Sequence, residues 1–177
     1  MTCPECGAAD CESRFHEFLA LEFTDAGYGI VHHLTVTVYM LQHSSRLTRE
    51  GWLHERGLLH EFLVENKPPA FIRKQNKDLV DSGKRTFKIN SRDGLPVINK
   101  STWTKTILDV RAENAEVYCA DVNAWARSVL EDAERLKSEI NFGINLKSSH
   151  PIILSQLSDH YDVIANRTKE KHRWSGV

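Results

Sequence analysis

The chain has 177 residues, 41% hydrophobic and 27% charged, enough to bury a core without disulfides and too apolar for a disordered tail. Its 23 basic and 24 acidic side chains leave a net charge of -1, which excludes a general electrostatic attraction to nucleic acid or anionic lipid. No apolar run of about 18 residues occurs, and the chain starts on a polar cysteine cluster where a signal peptide needs an apolar segment, so a cytoplasmic protein is expected.

The first stretch, CPECGAADC, spaces Cys3, Cys6 and Cys11 so that three thiolates can converge on one tetrahedral ion, with Pro4 and Gly7 supplying the turn between the first two. In a reducing compartment such spacing reads as a ligand set, and zinc is the expected ion. A helix follows from about Glu12 to Phe23, with Phe15, Phe18, Leu19 and Leu21 to Phe23 on its apolar stripe and Asp10 or Ser13 as its cap. Thr24 to Gly29 breaks it. Ile30 to His43 alternates like a strand in places, but its length and its freedom from Pro predict a second helix. Thr48 caps a third, from about Arg49 to Glu65, stopped by Pro68 and Pro69 and burying Trp52, Leu53, Leu59, Phe62 and Leu63.

A short helical piece is expected near Ala70 to Leu79. Arg85 to Ile98, with turn residues at Asn90 to Gly94, reads as a small β-hairpin. Helical sequence resumes at Ser101 or Thr102 and runs through Val110, anchored by Trp103. Asn114 then caps the longest helix, whose seam is Tyr118, Val122, Trp125, Val129, Ala133, Leu136 and Ile140. Asn141 to Ser149 reads as a linker, and His150-Pro151 opens a last amphipathic helix with Ile153, Leu157, Tyr161 and Ile164 on one side. The expected architecture is mainly α: a helical bundle with an N-terminal zinc knuckle and one β-hairpin. Residues 1–140 form the knuckle and bundle, and 141–177 form a linker and helix that packs on the same domain or on a partner.

The segments CPECG, FHEFLALEF, VHHLTVTVYMLQH and WTKTILDVRAENAEVYCADVNAWARSVL together resemble a bacterial family known only as a domain of unknown function, over roughly Cys3 to Glu134. The resemblance implies a mostly helical bacterial protein with a cysteine-rich start, and it implies no reaction or partner.

The fourth ligand follows from geometry. If the first two long helices form an antiparallel hairpin about Thr24 to Gly29, residues whose numbers sum to roughly 52 lie opposite one another, and Cys11 faces the Leu41 to His43 end. The expected set is therefore Cys3, Cys6, Cys11 and His43. His16, one turn beyond Cys11, is the alternative, and His33 is a remoter one. His32 and His33 fall near Leu19 and Glu22, about 15 Å up the helix at 1.5 Å per residue. A second polar site of Glu22 with His32 or His33 is conceivable there, against an ordinary hydrogen-bonded interface. Cys119 reads as a small buried hydrophobe.

No GxSxG, Walker-type loop or GxGxxG occurs, and no catalytic residue is assigned. The first functional reading is a binding or regulatory protein with a structural Cys3His zinc, because a closed ligand set leaves no position for a substrate. A metal-dependent enzyme using His16, His32, His33 or His43 is the alternative. A nucleic-acid binder is the third, drawn from Arg73, Lys74, Lys77, Lys84, Arg85, Lys88 and Arg92, and weakened by few aromatics beside them. No membrane partner is expected. The C-terminal helix is the candidate surface for a protein partner or for self-association.

Overall fold

A computed structural model describes residues 2–84, 88–89 and 102–144, with side chains to Leu136. The chain divides into two units, Met1–Lys137 and Ser138–Val177, and everything below lies in the first apart from the end of the last helix. Six helices are found among the described residues: α1 Cys11–Thr24, α2 Ala26–Gly29, α3 His32–Gln42, α4 Arg49–Leu63, α5 Pro69–Asp81 and α6 Ala115–Ile144.

The described residues contain no sheet, and their one antiparallel bridge outside a strand joins Thr2 to Ala9 across the knuckle. The expected hairpin at 85–98 has only Lys88 and Ile89 among the described residues, so it finds no support here. The linker and C-terminal helix also lie outside them, except that α6 continues to Ile144 through the first residues read as linker. No helix among the described residues is long and apolar enough to cross a membrane.

The core lies between α1, α3, α4 and α6. Tyr118, Val122, Trp125, Val129, Ala133 and Leu136, the α6 seam, are all buried, and Asn114 caps the helix by accepting from the Val117 amide at 3.0 Å. Trp52, Leu59 and Leu63 are the buried face of α4, with Leu53 and Phe62 half-buried beside them. Thr48 caps α4 as expected, its hydroxyl accepting from the Gly51 amide at 2.9 Å.

Polar joints fix the register of these helices. Buried Gln42 accepts from Trp125 Nε1 at 3.1 Å and donates to the Lys105 carbonyl at 2.8 Å, joining α3 to α6 and to the segment before it. Asp132, 1% exposed, accepts from the Thr104 amide and hydroxyl. The Lys105 carbonyl bonded by Gln42 is one that a helix would use for itself, and the expected helix from Thr102 to Val110 is absent. In its place stand 3-10 backbone at Thr102 and the 3-10 turn Ile107–Asp109, with a capping box from Thr106; Trp103 is buried.

Two further local expectations are corrected. Asp10 precedes α1 in the left-handed conformation (φ 49°), and its side chain makes no cap hydrogen bond. Ser13 lies inside the first turn. The break after α1 contains α2, started by Asp25, whose side chain accepts from the Gly27 amide at 2.7 Å.

Candidate metal centre

The knuckle is a tight loop closed on itself. The Gly7 amide bonds the Cys3 carbonyl at 3.0 Å and the Cys3 amide bonds the Ala8 carbonyl at 2.9 Å. Gly7 sits at φ 79°, a conformation that a Cβ disfavours. This turn places the Cys3 and Cys6 sulfurs on the side facing Cys11, the first residue of α1. His43 arrives from the other side as the residue that ends α3.

One ligand atom from each of Cys3, Cys6, Cys11 and His43 lies within 4.8 Å of every other, a group that could hold a metal ion. His43 Nε2 is 3.6 Å from the Cys3 sulfur and 3.4 Å from that of Cys11. Its Nδ1 donates to the Tyr39 carbonyl at 2.6 Å, which fixes the tautomer and leaves Nε2 with its lone pair toward the sulfurs. Burial lowers the His43 pKa and so favours the neutral ring, the form that ligates.

The three thiols differ. Burial raises Cys6 strongly, with the charges of Cys11 and Cys3 adding to it, and burial raises Cys11. At Cys3 burial is opposed and outweighed by backbone hydrogen bonds from Cys6 and Glu5, which hold it below its ordinary range. Cys3 is also the half-exposed member, whereas Cys6 and Cys11 are buried. Two polar links hold the knuckle on the end of α3. Buried Glu5 accepts from the Ser45 amide at 2.9 Å and its hydroxyl at 2.7 Å, and Arg46 pairs with Glu12 at 3.2 Å.

The other histidines stand apart from this group. His16 is exposed on α1 with its ring beside Phe15, so it is not brought to the three sulfurs. His33 packs edge-on against Phe62 at 4.5 Å. His32 Nδ1 bonds Glu22 at 2.7 Å, the pairing considered from the sequence. Glu22 also accepts from Thr35 at 2.5 Å and Tyr118 at 2.6 Å, partners that lie 13 and 96 residues away. Cys119 is half-buried, its sulfur 3.4 Å from the Gly27 carbonyl. The sequence reading missed Tyr118 as a polar group because it sits in an otherwise apolar seam, and it missed Glu5, whose only signal was a charge inside a turn that had to be buried.

Residues 1–134 match a single family over most of the chain. The protein belongs to DUF5946, a family of unknown function. The DUF5946 match takes in all four donors and ends within α6. No curated protein and no solved structure matches the chain.

Proposed function

We propose that Cys3, Cys6, Cys11 and His43 form a structural zinc centre, and that this DUF5946 member is a binding or regulatory module of the bacterial cytoplasm. The observation that carries the reading is the convergence of four donors within 4.8 Å. Zn–S bonds of about 2.3 Å and a Zn–N bond of about 2.1 Å at tetrahedral angles put sulfur and nitrogen roughly 3.6 Å apart. The His43 nitrogen stands 3.6 and 3.4 Å from two of the sulfurs. Thiolate and imidazole suit zinc, whose tetrahedral preference four ligands complete.

When bound, the ion adds its binding free energy to the folded state. The chain's own residues do the rest: Gly7 permits the turn, the Tyr39 carbonyl aims His43, and Glu5 and Arg46 hold the knuckle against the end of α3. Residues 1–140 would carry this centre and the bundle, and 141–177, beyond the end of α6 at Ile144, the linker and contact helix.

The test is metal content per chain after purification without added metal, together with the visible spectrum of the cobalt(II)-substituted protein. One zinc per chain and a tetrahedral spectrum with sulfur-to-metal charge transfer are expected. A metal bound with an exchangeable water would overturn the structural reading. A metal-dependent enzyme is the second reading, favoured by one observation: His32 is 37% exposed at its side chain while a fully buried carboxylate holds its Nδ1.

A further inference from the structure

Tyr39 is 1% exposed, and its ring is clamped between two others. It stacks on Phe15 at 3.8 Å with 7° between planes and on His43 at 4.0 Å with 29°. Its carbonyl is the acceptor that orients His43. Yet its hydroxyl, fully buried, makes no hydrogen bond of good geometry. The polar group within its reach is the sulfur of Cys11.

An unsatisfied buried hydroxyl costs about 1–3 kcal/mol, and a neutral thiol is a poor acceptor to relieve it. A metal-bound thiolate is a charged acceptor. Three thiolates and one imidazole on a divalent cation also leave a net negative charge in a buried place, which a hydrogen-bond donor offsets. Orphaned phenol and under-neutralised sulfur thus answer one another, and Arg46, whose guanidinium lies 6.0 Å over the Tyr39 ring, adds positive charge on the same side.

We propose that Tyr39 is a positioning residue of the metal centre: its hydroxyl donates to the Cys11 thiolate while its ring and carbonyl hold His43 in line. The proposal rests on the metal reading above. It has a consequence for reactivity, because a hydrogen bond to sulfur withdraws electron density. Cys11 is buried and quenched, and half-exposed Cys3 becomes the edge at which electrophiles attack.

Tyr39→Phe deletes the oxygen and keeps the ring. The experiment compares wild type, Tyr39→Phe and Phe15→Leu, all loaded with cobalt(II), by the energy of the sulfur-to-metal charge-transfer band, by competition with a chelator, and by mass-spectrometric mapping of iodoacetamide labelling. For Tyr39→Phe the expected result is a band shifted to lower energy, roughly 10–100-fold weaker metal affinity and faster labelling of Cys11. Phe15→Leu loosens the stack without touching the hydroxyl and should leave the band in place. An unmoved band and unchanged affinity in Tyr39→Phe overturn the proposal while leaving the metal centre standing. An equal shift in Phe15→Leu overturns it too, since packing alone would then explain the change. Absence of any sulfur-to-metal band in the wild type instead removes the metal reading itself.

Discussion

At one end of the α1–α3 pair Cys11 faces His43, and at the other Glu22 faces His32. Both ends bury polar groups, but what those groups lack is opposite. Glu22 is an acceptor supplied with donors from His32, Thr35 and Tyr118, so its polar demand is met by the chain alone. The cysteine end gathers three sulfurs and a nitrogen whose other face is already bonded, with Tyr39's hydroxyl unpartnered beside them. Within the chain these groups meet chiefly one another, His43 Nε2 lying 3.6 and 3.4 Å from the Cys3 and Cys11 sulfurs. A polar cluster that closes on itself is architecture, and one that leaves lone pairs converging on a point could hold an ion.

The sharpest way to break this contrast is to remove the ion proposed for the cysteine end. Chelation, or His43→Ala, should release the metal and destabilise the protein by several kcal/mol, because structural zinc carries on the order of 10 kcal/mol of binding free energy in small domains. His16→Ala and His33→Ala should retain it, since neither ring reaches the sulfurs. Metal retention after dialysis against a mild chelator and chemical denaturation check both halves, and metal loss from His33→Ala would refute the register of the helix pair.

Glu22→Ala attacks the other end. It strands the Tyr118 hydroxyl and the His32 ring and leaves the Thr35 hydroxyl only its 3.4 Å bond to the Val31 carbonyl, and a loss of about 3–5 kcal/mol is expected, as for removal of one member of a buried pair. Metal stoichiometry should stay at one per chain, and a fall in it would mean that the two ends are coupled. Tyr118→Phe is gentler, expected to cost about 1.5–3 kcal/mol for one hydrogen bond to a charged group. Denaturation midpoints measure both.

Arg111 and Asp121 belong to neither end and give the smallest effect. Hydrogen bonds from Arg111, first its side chain and then its amide, hold the Asp121 carboxyl below its ordinary range. A depressed carboxylate contributes stability that is present above its unfolded pKa and is lost as pH falls through the folded one. The stability gap between wild type and Asp121→Asn should therefore be small and constant near neutrality and should close in acid below about pH 4. A gap that instead widened in acid would assign the effect to another group.

The sequence made the cysteine end legible because its information is local. Cys3, Cys6 and Cys11 fall within one short run, and a helix period was enough to carry His43 to them. The hairpin register was nearly right: Cys11–His43, Phe15–Tyr39 and Glu22–His32 all obey one pairing, about two higher in summed residue number than the expected 52. The shift moves the pivot by one residue, to Gly27, inside the short helix α2 that forms the turn. The helix predicted from Thr102 failed because its rival for the Lys105 carbonyl, Gln42, lies far away in sequence. The third donor to Glu22 was illegible for the same reason.

That spread of sequence distances has a further meaning in time. All four sulfur and nitrogen donors lie within the first 43 residues, whereas the carboxylate end waits for Tyr118. At 5–20 residues per second, a ribosome makes the first set available roughly 4–15 s before the second. The knuckle and α3 can thus be pinned together on the nascent chain before α6, which supplies so much of the core, has been made. A stalled nascent chain ending before α6 should accordingly take up cobalt in a His43-dependent way, and failure to do so would place metal capture after the bundle has formed.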